Sequence, residues 1–395
     1  MTCSKLFSGD LPELWCRLAI PLLWEDPFSI KFPKNYYFIE IYLNNLNDDD
    51  KNSTIEEQHS NYSIKNVNLS LSQFTKLIFG SLILLFIKNE VNLHSFKVTT
   101  CIGYRNEIIE LILQNRDFIY NIKNFVLNLD RANDNTIKFL EFLCSNYYNS
   151  ISSLYFQLPS YNIYPIIEKY LSKIIKSQEN LKKISFGFGY DYSLYHSLLS
   201  LNNHNCSNTL NTIVFYYISF KNINILSEVF NQLNVLESIH IVYCYYLNSK
   251  FIQQINNIIK PFKLKSLFLN EINYESLEPL IQKSGNYLEN FGFYHPGSQK
   301  LLQLIIKYCN KIKFLFPIWP NDQFIYLVYN IIENIKQNLN YLSIDLRYNS
   351  IILQNLGQIL PFELEYLNLR LNMINANDLE LFLKNSLKIF LLKNY

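Results

Sequence analysis

The sequence predicts an α/β solenoid, a stack of parallel strands in which each strand is followed by a helix. Three observations lead there. A short apolar motif recurs twelve times, the stretches between copies carry helical periodicity, and the composition is too apolar for a disordered chain. The 395 residues are 49% hydrophobic and 17% charged, enough apolar mass for a long continuous core.

The motif is apolar-x-x-apolar-x-apolar. Its copies begin at Leu93 (LHSFKV), Ile122 (IKNFVL), Ile151 (ISSLYF), Leu181 (LKKISF), Leu210 (LNTIVF) and Leu236 (LESIHI). They continue at Leu264 (LKSLFL), Leu288 (LENFGF), Ile312 (IKFLFP), Leu339 (LNYLSI), Leu364 (LEYLNL) and Leu387 (LKIFLL), at intervals of 23 to 30 residues. The weakest copy is Ile312, where Pro317 takes the last apolar slot. The alternation that closes each copy gives a short strand with one buried face. Between strands the period changes. Ile163, Ile166, Ile167, Tyr170, Leu171, Ile174 and Ile175 form one helical stripe, as do Leu301, Leu302, Ile305, Ile306 and Cys309 behind the N-cap candidate Ser298. Repeats of roughly 20–29 residues with this pattern are leucine-rich repeats. Helices are wider than strands, so the expected shape is a horseshoe with strands on its concave face and helices on its convex face.

The ninth position of each repeat turns the chain inward. Cys101, Cys244 and Asn372 occupy it, a mark of the cysteine-containing repeat class, while Asp130, Pro159, Ile272 and Arg347 make the slot degenerate. These cysteines read as core residues rather than nucleophiles.

The array spans 93–395 in about twelve units. Ahead of it, residues 36–92 hold a polar loop, Asn44 to Ser63, and an apolar helix, Gln73 to Lys88, that would cover the first repeat. At the other end Tyr395 follows the Leu387 copy with no helix between. The expectation is either a truncated array or an exposed edge that pairs with something.

Chemistry is mostly excluded. A net charge of +2 with no block of like charges gives no reason to expect nucleic acid or a membrane surface. Seven cysteines without a C-x-x-C pair argue for reduced, buried thiols. No secretion signal is visible, and the longest apolar run, Leu77 to Ile87, is too short to span a bilayer. A cytoplasmic or nuclear location follows as the expectation. Metal-ligand spacings, Gly-rich phosphate loops and nucleophile elbows are absent. His204-Asn205-Cys206 reads as a surface loop, and His240 and Cys244 fall on opposite faces of one strand. No catalytic, cofactor or metal site is expected, and the chain does not read as an enzyme.

The concave surface remains. Strand positions five and seven project side by side from each unit, and across the array they bring together Tyr216, His240, Phe268, Tyr294 and Phe316, with Trp319 close by and Asp345 and Arg370 further along. Aromatic anchors of this kind suit a protein interface.

The N-terminus then finds a place. Leu11-Pro12-Glu13-Leu14 resembles the beginning of an F-box, and Trp15-Cys16-Arg17-Leu18-Ala19-Ile20-Pro21-Leu22-Leu23-Trp24 resembles its end. Followed by leucine-rich repeats, the chain is similar to the F-box/leucine-rich-repeat proteins expanded in some fungi. Residues 1–35 would then be a remnant F-box-like helical segment. The resemblance implies a substrate receptor of an SCF-type ubiquitin ligase, with its F-box on the cullin-linked adaptor and its concave repeats on a target protein. It offers Leu11, Pro12, Leu14, Leu18, Pro21, Leu22 and Trp24 as adaptor-docking candidates. Here Leu14 abuts Trp15, and the helical middle that separates the two halves in the family is missing. A receptor with weakened docking and a stand-alone scaffold or decoy both stay open.

Overall fold

The computed structural model describes residues 80, 83–84, 86–87, 93–99, 105–129, 134–145, 149–158, 164–188, 194–269, 277–293, 299–318, 325–346, 351–371 and 375–392. Two compact units divide the chain, Met1–Ile83 and Leu84–Tyr395. The first contributes only Gly80 and Ile83 to the described residues, both helical, so the division falls inside the helix expected over Gln73 to Lys88.

The second unit is an eleven-stranded sheet in strict chain order, β1-β2-β3 and onward to β11. Its strands are β1 (Ser95–Thr99), β2 (Asn124–Asn128), β3 (Ser153–Gln157), β4 (Lys183–Gly187), β5 (Thr212–Tyr216) and β6 (Ser238–Cys244). They continue as β7 (Leu264–Leu269), β8 (Asn290–Phe293), β9 (Phe314–Ile318), β10 (Tyr341–Leu346) and β11 (Tyr366–Leu371). Every neighbouring pair is parallel. Parallel neighbours need a crossover, and helices supply it: α1 (Arg105–Gln114), α2 (Asp134–Leu143), α3 (Tyr164–Ser177), α4 (Tyr195–Leu199), α5 (His204–Thr209) and α6 (Leu226–Gln232). Then come α7 (Ser249–Asn256), α8 (Glu278–Ser284), α9 (Gln299–Tyr308), α10 (Ile325–Ile335), α11 (Ile351–Ile359) and α12 (Ala376–Leu392).

Eleven of the twelve motif copies lead into strands. The copy at Leu387 does not, because it lies inside α12. Leu379, Phe382, Leu383, Ser386, Leu387, Phe390 and Leu391 repeat at helical spacing with no glycine or proline to interrupt them. In that segment the helical period prevails over the strand alternation. Among the described residues β11 is therefore followed by a helix where a further strand was expected.

Strand burial alternates as the motif requires. In β2 and β3 the residues at motif positions four and six, Phe125, Leu127, Leu154 and Phe156, are buried, while their neighbours stay half-exposed. Each such side chain contributes about 1.5–3 kcal/mol of burial, and the stack joins them into one core running the length of the unit. Cys244 and Cys309 belong to that core, as expected. Cys101, Asn372 and Ser298 lie outside the described residues.

Three local expectations are corrected. The stripe of α3 is rotated: Ile166 is 49% exposed. Glu168 is buried instead, and its carboxylate accepts the backbone N–H of His196 at 2.9 Å, at the start of α4. Residues 204–206 open a helix rather than a loop, and Cys206 is buried with its thiol 3.8 Å from the Ile175 carbonyl. Asn203 caps that helix by accepting the Cys206 N–H, a competition with loop geometry that Asn side chains often win. The third correction is in register. The β6–β7 pairing slips by two motif positions, so His240 lies opposite Ser266 and Val242 opposite Phe268.

Candidate functional site

One face of the sheet carries the half-exposed strand residues, and the register slip decides which of them align. Tyr216, Val242, Phe268, Gly292 and Phe316 stand opposite one another on five consecutive strands. Straight motif alignment would have put Phe268 beside His240. The row below it runs Ser185, Val214, His240, Ser266, Asn290, Phe314, and from β9 through β11 Phe314, Tyr341, Tyr366.

Two aromatic groups occupy this face. Phe314, Tyr341 and Tyr366 stack across β9 to β11 with centroids 3.9 and 4.7 Å apart and nearly parallel planes. The second group forms at the C-terminal ends of β4 to β6. Leu129 and Leu158, which follow β2 and β3 at motif position eight, point into the core and are essentially buried. The same position in the next three units holds Phe188, Tyr217 and Tyr243, with φ of 62°, 52° and 53°. Left-handed backbone at an aromatic residue costs about 1–2 kcal/mol. It also turns the side chain out of the core alternation, and the three rings line up with Phe188–Tyr217 and Tyr217–Tyr243 centroids both 5.4 Å apart. Tyr216 meets Tyr217 edge-on at 4.6 Å. The ladder survives the strain, since the Phe188 and Tyr217 N–H groups still donate to Tyr216 and Val242 carbonyls at 2.9 Å. Strain retained in three successive units marks a place where the surrounding structure imposes the conformation.

Glycine joins the two groups. A Cβ at Gly292 would lie 2.4 Å from the Phe316 carbonyl oxygen and 3.0 Å from the Phe268 ring. The bare glycine lets Phe268 lean across β8 to Phe314 and Phe316, at 6.1 and 6.3 Å, while its other side meets Tyr243 at 5.8 Å. Gly187 plays the same part for Tyr155, whose hydroxyl is 2.8 Å from where a Cβ would sit. A continuous band of rings therefore runs from Phe188 to Tyr366. Small side chains in its lee, Ser185, Ser266 and Ser343, are buried although they share the open face.

Beside the band lies a polar window. His240 Nδ1 and Ser266 Oγ are 2.8 Å apart, and Asn290 donates to Ser266 Oγ at 2.8 Å. Burial, and then the nearby Lys183, hold the imidazole below its usual pKa, so it is neutral at physiological pH. Two sets of charges near this window are paired. Glu289 is paired with Lys265 and Lys313, chiefly the former, which keep its carboxyl below the ordinary range. Asp345 pairs with Arg370 at 3.6 Å.

Four of the predicted residues, Tyr216, His240, Phe268 and Phe316, are half-exposed on this face. Asp345 is not available to a partner, because its side chain is 3% exposed and bound to Arg370. It positions that guanidinium, which is 69% exposed. Tyr294 and Trp319, and Leu11, Pro12, Leu14, Leu18, Pro21, Leu22 and Trp24, lie outside the described residues. Sequence reasoning missed Phe188, Tyr217, Tyr243, Phe314, Tyr341 and Tyr366. A signal existed for the first three, the change at motif position eight from leucine to aromatic.

No model of a known protein family matches this chain, and no characterised protein matches it.

The thiols offer little chemistry. Burial pushes those of Cys244 and Cys309 up to about 12 and that of Cys144 to about 11, so they stay protonated. Among the described residues no cluster of His, Cys, Asp and Glu is arranged to hold a metal, and no helix is long and apolar enough to cross a membrane. What the face provides is ring surface on a hydrogen-bonded sheet, which suits contact.

Proposed function

We propose that the chain is a leucine-rich-repeat module of horseshoe shape that recognises a target protein on the open, concave face of its sheet. The carrying observation is the ring band with its three left-handed aromatics. Strain kept in three adjacent units, and rings left half-exposed where two earlier units bury leucine, support selection for contact. Catalysis has no comparable support.

The F-box-like segment adds a role: delivery of that target to an SCF-type ubiquitin ligase through Leu11, Pro12, Leu14, Leu18, Pro21, Leu22 and Trp24. The direct junction of Leu14 and Trp15 favours a second reading, a scaffold or decoy that binds the target without recruiting the ligase.

Affinity capture of the tagged full chain tests both. The comparison variant combines Tyr216→Ser, Tyr243→Asn and Phe268→Ser; asparagine tolerates the left-handed backbone at 243. The wild type should retain a partner that the variant loses while its circular dichroism is unchanged. Equal capture by both would end the recognition proposal. Adaptor and cullin among the captured proteins support the ligase role, and their absence beside a retained target supports the decoy.

A further inference from the structure

We propose that the target meets the open sheet face with a segment that is acidic over β1 to β4 and apolar over the ring band. The inference rests on the target-binding reading and names the chemistry of its partner. It begins with the distribution of charge along the face. From β7 to β11, Glu289 is paired with Lys265 and Lys313, and Asp345 with Arg370. Over β1 to β4 the pattern changes. Residues 94–99, 123–128, 152–157 and 182–187 contain no Asp or Glu, yet they supply Lys97, Lys123, Lys182 and Lys183, all exposed. None of these lysines is paired with an acidic side chain among the described residues.

The register gathers them. Lys97 shares a row with the half-exposed Val126 and Tyr155, and Lys183 shares one with Ser153, Asn124 and Ser95. Lys123 and Lys182 come just before β2 and β4, with Ser152 between them. The Ser152 N–H donates to the Lys123 carbonyl and the Lys182 N–H to the Ser152 carbonyl, both at 2.8 Å. Two strand steps therefore separate Lys123 from Lys182, about 10 Å, and three separate the strands of Lys97 and Lys183, about 14 Å. Short polar side chains, Ser95, Asn124, Ser152 and Ser153, stand between. Ammonium groups at such spacing repel one another, and a run of carboxylates laid across the strands replaces that repulsion with attraction.

The basic strip runs directly into the ring band. Phe188, the first ring, follows β4, and the Lys183 charge is felt at the His240 imidazole of the polar window. One partner segment can therefore cover both. From β1 to β9 there are eight strand steps, about 38 Å, which an extended chain crosses in about twelve residues. Lysines beside rings also suit single-stranded nucleic acid. The observations favour a protein. No arginine stands in β1 to β5, and the net charge is only +2. Four lysines also fall short of the six to ten or so phosphate contacts of a strong nucleic-acid binder.

Selection of phage-displayed random peptides, each about twelve residues long to match that span, on the full chain tests the proposal. Retained peptides should be rich in Asp and Glu in one half and in apolar residues in the other. One of them, synthesised with a fluorescent label, then serves as the probe. Lys123 and Lys182 are exposed, so Lys123→Glu combined with Lys182→Glu leaves the fold intact. That pair should raise the dissociation constant on the order of ten-fold in dilute salt. In concentrated salt, where screening weakens the attraction, the effect should be much smaller. Tyr216→Ser combined with Phe268→Ser should weaken the probe to a similar degree in both. Retained peptides without acidic residues, a lysine effect indifferent to salt, or tighter binding of a single-stranded oligothymidine than of any peptide would each overturn the proposal. Acid-free peptides that are still lost by the ring variant would overturn it while leaving the recognition reading intact, and retention of no peptide at all would overturn both.

Discussion

Alanine in place of Gly292 should cost far more than alanine in place of Gly187, although both glycines sit on the same face of the same sheet. At Gly292 the new methyl would lie 2.4 Å from a backbone carbonyl, that of Phe316 on the neighbouring strand. Gly292 pairs directly with Phe316, so the clash is relieved only by prising β8 from β9. Overpacking of this kind costs about 1–3 kcal/mol, and a fixed backbone obstacle puts it at the upper end. Alanine returns about 0.4–1 kcal/mol by restricting the unfolded chain, leaving a net loss of about 2 kcal/mol. At Gly187 the obstacle is the Tyr155 hydroxyl at 2.8 Å, the far end of a half-exposed side chain that can swing aside. There the two contributions nearly cancel. At about 2–4 °C per kcal/mol, Gly292→Ala should lower Tm by about 4–8 °C and Gly187→Ala by less than about 3 °C. Thermal unfolding followed by circular dichroism reads both. Equal losses, or a larger loss at Gly187, would refute the packing account of the ring band.

Other expectations follow from the same geometry. Tyr217→Gly should change Tm little, because relief of about 1–2 kcal/mol of left-handed strain offsets the lost ring contacts. Leu158→Gly at the equivalent slot should cost about 2–5 kcal/mol as a core deletion; similar losses for the two would show that Tyr217 is an ordinary core residue. His240 is held below its usual 6.5 by burial, so the folded state prefers the neutral ring. As pH falls below 6.5 the unfolded chain takes up that proton more readily, and wild-type stability drops. The Tm advantage of wild type over His240→Gln should therefore shrink between pH 7 and pH 5, and parallel curves would contradict the assignment. Cys244 and Cys309 should resist a thiol reagent at pH 8 in native protein and react after unfolding, as peptide mapping by mass spectrometry would record; stoichiometric native labelling would contradict their burial.

The repeat was legible because its signal is summed over many copies. Each buried pair, such as Leu127 with Phe125 or Leu342 with Ile344, repeats the same alternation, and no single degenerate unit such as Ile312 spoils it. The final unit was misread because LKIFLL satisfies both a two-residue and a helical period, and only the leucines before it settle the choice. Register between strands is harder. The slip between β6 and β7 follows no residue-level rule, since His240 opposite Ser266 is as acceptable as His240 opposite Phe268. The φ signs of Phe188, Tyr217 and Tyr243 are set by tertiary packing and contradict local preference. So three rings of the band, Tyr216, Phe268 and Phe316, were visible in the sequence, and its continuity was not.

The claim that the open sheet face is the recognition surface can be tested at a single side chain. A photo-reactive residue at Val242 would stand between Tyr216 and Phe268 in their shared row, and one at Ile166 would stand on the exposed side of α3. Irradiation of each in cells, followed by mass spectrometry, should attach the captured target at position 242 and leave position 166 unlabelled. Attachment at 166 with silence at 242 would place recognition on the helices and contradict the account.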